Sequence, residues 1–213
     1  MPETIFKHAL KTAGVLIAFA LVYTALLSSV FTATKTPIEK AEANARMALF
    51  SQIVPQSLHD NALLKDAITI APNPLLGNLQ PIVANRARIN NAPVAIILEA
   101  IAHDGYSGDI KLLIAIKYDG SIAGVRVLTH KETPGLGDYI DVLKGNWIKL
   151  FEHESLTKTV AEKWKVKKDG GQFDYMAGAT ITPRAVVKAV HKALQYVEAN
   201  KQTLFAPNKS GIS

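Results

Sequence analysis

The chain has 213 residues, with 24 Lys+Arg against 18 Asp+Glu, 48% hydrophobic residues and no cysteine. That composition suits one or two folded domains, and zero Cys excludes a disulfide scaffold, a thiol nucleophile, Cys-ligated zinc and an ordinary iron–sulfur cluster. The net charge of +6 lies wholly at the C-terminal end, since residues 1–155 carry 14 basic and 14 acidic side chains and residues 156–213 carry 10 and 4. Such a region attracts phosphate, anionic lipid or nucleic acid. No nucleic-acid motif accompanies the charge, and nucleic acid is set aside as a partner.

From Ala13 to Ala33 the chain runs 21 positions without a charged residue. As a helix this stretch spans about 30 Å, the hydrocarbon thickness of a bilayer. A cleaved signal peptide has a shorter apolar core, about 7–15 residues, and small residues before its cut. Phe31 occupies the first of those places before a cut after Ala33. The reading is therefore a retained transmembrane helix over 13–34 behind a short N-terminus, 1–12. Its orientation stays open: Lys7 and Lys11 precede it, Lys35, Lys40 and Arg46 follow it, and the positive-inside count is near a tie.

Pro37 to Ile53 reads as a helix continuing outward after a bend near Pro37. Ile38, Ala41, Ala45, Ala48, Leu49 and Ile53 fall along one face, and 35–60 forms a membrane-proximal helix and linker. Residues 54–92 are punctuated by Pro and Asn and offer one strand, Ala67–Ala71.

Beyond Pro93 the pattern is clearer. Pro93–Ala102 reads as a buried strand, Ile110–Tyr118 as a second, and Ile122–Leu128 as a third after the Asp119-Gly120 turn. Gly105-Tyr106-Ser107-Gly108 joins the first two. A short helix near Asp141–Leu150 and an edge strand near Lys163–Lys167, with lysines that discourage aggregation, follow. Thr182-Pro183 opens a long helix, with Thr as N-cap, Pro in the first turn, and Val186, Val187, Val190, Leu194 and Val197 on one face. The fold class is α+β: one transmembrane helix, then a mainly antiparallel sheet closed by a C-terminal helix. The soluble domain spans 61–200 and 201–213 is a tail.

Two segments carry chemistry. His130-Lys131-Glu132-Thr133-Pro134-Gly135-Leu136-Gly137-Asp138 follows a strand and concentrates residues suited to a tight turn or to close approach of a ligand to the backbone. It is no dinucleotide fingerprint, because Ile140 stands where the third glycine belongs. In Asp174-Tyr175-Met176-Ala177-Gly178-Ala179-Thr180, small residues precede a helix start, where free amides and the positive dipole end stabilise negative charge. A phosphate at the Thr180 hydroxyl is well placed there. Ser155-Leu156-Thr157-Lys158 matches SxxK without its partner motifs, the six histidines lack metal-ligand spacing, and Asn208-Lys209-Ser210 is a formal sequon of no consequence.

GYSG, HKETPGLGD and DYMAGATITP, together with the anchor and the closing helix, resemble the RnfG family, the flavin-binding subunits of the Rnf electron transport complex. More distantly they resemble the homologous flavin-binding subunit of the sodium-translocating NADH:quinone reductase. This resemblance implies an electron-carrier subunit, not a stand-alone enzyme, with FMN joined through its phosphate to the hydroxyl of Thr180 by a separate flavin transferase that draws on FAD and magnesium. It implies a bacterial inner-membrane protein, its FMN-binding domain in the periplasm, partnered by the other membrane subunits of the complex. It further implies that Glu132, Thr133, Pro134, Gly135, Leu136 and Gly137 lie beside the isoalloxazine, with Leu136 an apolar contact and Glu132 tuning its electronics. Tyr106 and Ser107 border the cofactor, Asp174, Gly178 and Ala179 belong to the attachment motif, and Thr182 stands near the phosphate. No metal site is implied. Two positions depart from the family pattern. Ala177 replaces a common Ser or Thr, leaving Thr180 the sole hydroxyl of AGAT, and Tyr139 replaces a common Lys. The alternatives are the quinone-reductase homologue and a cofactor-free anchored scaffold.

Overall fold

A computed structural model describes residues 2–207; the sequon at 208–210 lies outside the described residues. The chain divides into two compact units, Met1–Arg46 and Met47–Ser213. Helix α1 (Pro2–Ile53) makes up the described part of the first unit and contributes its last residues to the second. From Thr4 onward it is long and apolar enough to cross a membrane. Leu16, Phe19, Leu26 and Phe31 are all more than half exposed, a surface that suits lipid and not water. Ser29 donates to the Ala25 carbonyl at 2.7 Å and Thr34 to that of Val30 at 2.8 Å, which removes the cost of a bare polar group in hydrocarbon at those two positions. These features mark α1 as a membrane anchor. Helical backbone runs through Pro37, so the anchor and the expected membrane-proximal helix are one element.

The second unit is built on a five-stranded antiparallel meander, β1 (Ala67–Ile70), β2 (Ile82–Ile89), β3 (Ala92–Gly105), β4 (Gly108–Lys117) and β5 (Ile122–Thr129), in that spatial order. Alternation along β3 and β4 sorts the side chains onto two faces. Ile96, Leu98, Leu112 and Ile114 face helix α2 (Ile181–Ala199) with Val186 and Val190. Ala95, Ile97, Leu113 and Ala115 face Phe50, Ile53 and Val54 at the end of α1. Burial on both faces explains why these strands read as nearly unbroken apolar runs.

The end of α1 is seated by two contacts from β5. A Cβ on Gly124 would stand 2.9 Å from Ile53, so only glycine lets the helix come this close. Arg126 donates to the Gln52 carbonyl at 2.9 Å, placing a cation on a helix C-terminus. The inward residues there are Phe50 and Ile53, flanked by Met47 and Leu49. Of the face expected from periodicity only Leu49 and Ile53 turn inward, because Ile38, Ala41, Ala45 and Ala48 remain exposed.

Strand β2 was not expected. Its inward residues include Asn85, Arg86 and Arg88, which erase the hydrophobic pattern. Both arginines pair with buried Asp66, Arg86 through Nε at 2.7 Å and Arg88 through Nε at 2.6 Å. They also donate to the Ala206 carbonyl at 2.8 and 2.6 Å. The expected tail is thus held as far as Ala206. Residues Lys201–Leu204 form a short helix, α3, and Phe205 packs edge-on against Tyr118.

Two other expectations are corrected. Asp141–Leu150 is not a helix; short 3-10 helices at Gly137–Ile140 and Trp147–Phe151 flank a turn containing Gly145. Lys163–Lys167 is not a strand. It falls between 3-10 helices at Ala161–Lys163 and Lys167–Asp169, with one parallel bridge, Val166 to Phe173. Trp164 and Phe173 turn inward and pack at a tilt within an aromatic part of the core, which sets the local conformation more strongly than the lysine alternation does.

Candidate functional site

Three chain segments converge at the N-terminus of α2: the β3–β4 hairpin, the loop after β5, and residues 174–182. Their junction is an open cleft of ≈ 180 Å³ lined by Tyr106, Glu132, Thr133, Leu136, Gly137 and residues 178–182.

The loop after β5 is shaped by its own backbone. The amides of Leu136 and Gly137 both donate to the Thr133 carbonyl at 3.1 Å. Asp138 accepts from the Gly135 amide at 2.8 Å, closing a turn in which Gly135 has φ +76°. His130 accepts the Glu132 amide at 3.1 Å through Nδ1, so the imidazole helps fix the loop's base.

Glu132 lies at the centre, only 4% exposed. One carboxylate oxygen accepts the Ser107 amide at 3.0 Å and the other accepts the Thr182 hydroxyl at 2.5 Å. A single side chain therefore ties together the hairpin, the loop and the helix start. It also sits within a turn of the positive end of α2, where an anion is stabilised. Gly137 must be glycine for this to fit, since a Cβ there would lie 2.8 Å from both Glu132 Oε2 and Thr182 Oγ1.

Residues 174–180 are hung from an aromatic cluster. Trp147 donates its indole N–H to the Asp174 carbonyl at 2.7 Å. Tyr139 accepts the Met176 amide on its phenol oxygen at 3.2 Å and packs edge-on against Trp147. Burial pushes the Tyr139 phenol pKa up, only partly opposed by that amide, so it stays neutral. Gly178, at φ +88° with open space around its Cα, turns the chain into the helix.

The helix begins two residues earlier than its sequence suggests: Thr180 is the N-cap and Ile181 the first helical residue. The Thr182 hydroxyl serves Glu132 instead of capping. Thr180 is half-buried on the cleft wall and its side chain makes no capping hydrogen bond. Beside it, the Ile181 and Thr182 amides belong to the first turn, where a helix offers them no carbonyl. A nucleophilic hydroxyl next to such donors suits a phosphate ester.

Of the residues expected at a site, Tyr106, Glu132, Thr133, Leu136, Gly137, Gly178, Ala179, Thr180 and Thr182 line the cleft. Ser107, Pro134, Gly135 and Asp174 do not. Ser107 and Gly135 act through backbone amides that shape the wall. The Asp174 carboxylate faces outward and pairs with Lys167 at 2.5 Å. Sequence reasoning missed Ile181, an exposed apolar residue on the cleft wall, and the anchoring role of Tyr139 and Trp147. The exposed apolar residue at the first helical position was the available signal for Ile181.

The cleft has features that suit FMN: an apolar rim of Tyr106, Leu136 and Ile181 for a ring, glycine-lined backbone, and a helix mouth for phosphate. Consistent with this, residues 105–195 match the FMN-binding domain family and residues 1–53 match the RnfG N-terminal region. Fold and match together define the class: an FMN-binding domain carried on a membrane anchor.

Similarity extends over almost the whole chain. It is 46% identical over 200 residues to the G subunit of the ion-translocating oxidoreductase complex of Vibrio atlanticus, covering 93% of this chain and 95% of that one. It is 46% identical over 205 residues to the corresponding protein of Pseudomonas aeruginosa, covering 96% and 95%. The same identity holds over 198 residues to that of Shewanella loihica, covering 93% of each. The chain belongs to the family of G subunits of ion-translocating oxidoreductase complexes.

Proposed function

We infer that this chain is an electron-carrier subunit of an Rnf-type ion-translocating oxidoreductase complex, working through an FMN joined by a phosphoester to Thr180. Its domain of residues 61–200 lies on the periplasmic face of the inner membrane, held there by the span at 13–34 beside the integral subunits of the complex. A flavin transferase installs the cofactor. The family match supports FMN itself. The observation that carries the attachment site is Thr180: the cleft-lining hydroxyl at the mouth of α2 that makes no capping bond.

Bound FMN supplies reversible electron uptake and release. The chain's residues do the rest. Thr180 fixes the phosphate, and the first-turn amides and dipole of α2 stabilise its charge. Tyr106, Leu136 and Ile181 would offer apolar surface to the ring, and Glu132, fixed by Ser107 and Thr182, would set the electrostatics of the cleft around it. Thr133 and Gly137, which line the cleft, would hold the cofactor's ring against backbone. Covalent attachment keeps the site filled where no pool of free FMN exists to replace a lost cofactor.

Denaturing electrophoresis of chain made in cells with the transferase tests this reading. A flavin-fluorescent band at 23.0 kDa that disappears in Thr180→Val supports it. A dark band from such cells favours a cofactor-free scaffold, and a fluorescent Thr180→Val band places the bond elsewhere.

A further inference from the structure

A second concavity, about 410 Å³, lies between the outer stripe of α2 and the 164–169 segment. Arg184, Lys188 and His191 recur at helical spacing and share one face. Lys165 stands on the opposite wall. The segment that presents it is tightly turned, because a Cβ on Gly171 would lie 1.9 Å from the Lys165 carbonyl. The floor is a rigid aromatic pair: Trp164, 4% exposed, stacks on His191 with centroids 5.1 Å apart and donates to the Thr159 carbonyl at 3.0 Å. Burial lowers the His191 pKa, so this floor stays uncharged at neutral pH.

The walls are cationic beyond what the chain itself neutralises. Asp169 is held in two 2.6 Å bonds by Arg184, which keep its carboxyl below the usual range. Asp104 takes Lys188 at 2.7 Å. Among the described residues, Lys165 and Lys168 near Asp169, and Lys192 near Asp104, form no ion pair within 4.0 Å and share carboxylates already taken by Arg184 and Lys188. From Arg184 to Lys192 the cations extend about 12 Å along the helix. That is a track for an extended acidic chain, longer than one headgroup requires. The Trp164 ring is already covered by His191, so it offers no platform for a nucleic-acid base.

We propose that this groove is the docking site for an acidic segment of another protein in the complex. Its carboxylates sit over Lys165 in the groove and over Lys192 on the wall of the adjoining concavity that shares Lys188, and an apolar side chain rests against His191, which covers Trp164. Arg184 begins one helical position past the first turn that carries Thr180 and Ile181, so a segment seated here brings its own protein alongside the cleft. The docking stands on the groove's charge and shape; only its purpose, delivering or collecting electrons, rests on the FMN reading.

Amine-acylation footprinting of the full chain, alone in detergent and within the assembled complex, tests the proposal. Lys165 and Lys192 are expected to be protected in the complex while Lys65, on another element, labels equally in both states. Carbodiimide is expected to join Lys165 or Lys192 to an Asp or Glu of another protein in the complex, and Lys165→Glu to weaken that link. Equal labelling of Lys165 and Lys192 in both states overturns the proposal. Protection reproduced by phosphatidylglycerol vesicles alone overturns it in favour of a lipid. The footprint is read without flavin, so its failure is distinct from a failure at Thr180.

Discussion

The Thr182 hydroxyl donates to the buried Glu132 carboxylate at 2.5 Å across 50 residues of sequence. The bond joins the GLG-containing loop to the first turn of α2 and so sets the width of the cleft. Thr182→Val keeps the volume and removes the donor, leaving one oxygen of a buried carboxylate unsatisfied. Loss of about 1–3 kcal/mol is expected, read as a lower denaturation midpoint of the full chain in detergent. Thr182→Ser keeps the donor and is expected to recover most of it.

Gly137 and Gly135 separate close approach from backbone conformation. Gly137→Ala drives a methyl group into Glu132 and Thr182 and is expected to cost about 1–3 kcal/mol and to lower the fraction of chain carrying flavin. Gly135→Ala meets open space at φ +76°. Its expected cost is the left-handed backbone strain alone, about 1–2 kcal/mol, with flavin content nearly unchanged. Thermal melts and flavin absorbance per chain distinguish the two.

Tyr139→Phe removes the acceptor of the Met176 amide while leaving the contact with Trp147. A loss of about 0.5–1.5 kcal/mol is expected. Because that bond holds the segment leading to Thr180, slower flavin attachment is expected as well, measured as in-gel fluorescence against time. Unchanged attachment kinetics in a folded Tyr139→Phe chain contradict the anchoring role.

His103 provides a pH signature. Its imidazole is bonded to the Asp109 carboxylate at 2.9 Å and to the Gly77 carbonyl at 2.7 Å. These bonds, the Asp109 bond foremost, raise its pKa above the usual value. A group with a raised folded pKa stabilises the fold below its unfolded pKa and loses that contribution as pH rises through the folded one. His103→Gln is therefore expected to lower the melting temperature more near about pH 5 than near about pH 8. An equal loss at both contradicts the assignment.

How much of this was legible in the sequence varied with the physics of each segment. Strands β3, β4 and β5 stood out because both faces are apolar and Asp119-Gly120 marks a turn. Strand β2 hid because Arg86 and Arg88 point inward to Asp66, a pairing separated by 20 residues or more that no local pattern reveals. The helix start was misplaced by two residues because Thr182, a good capping residue, is used by Glu132 instead. The site motifs were legible as motifs; which members face the cleft was not. Ser107 and Gly135 contribute only amides, and the part played by Tyr139 depends on Trp147 and Met176 meeting it in space.

The measurement that bears most directly on the account is intact mass and peptide mapping of the full chain from cells that express the transferase. The expected result is one whole flavin mononucleotide, less one water, added per chain on the peptide containing Thr180, and none in Thr180→Val. An unmodified chain from such cells, or the same adduct mapped to another hydroxyl, contradicts it.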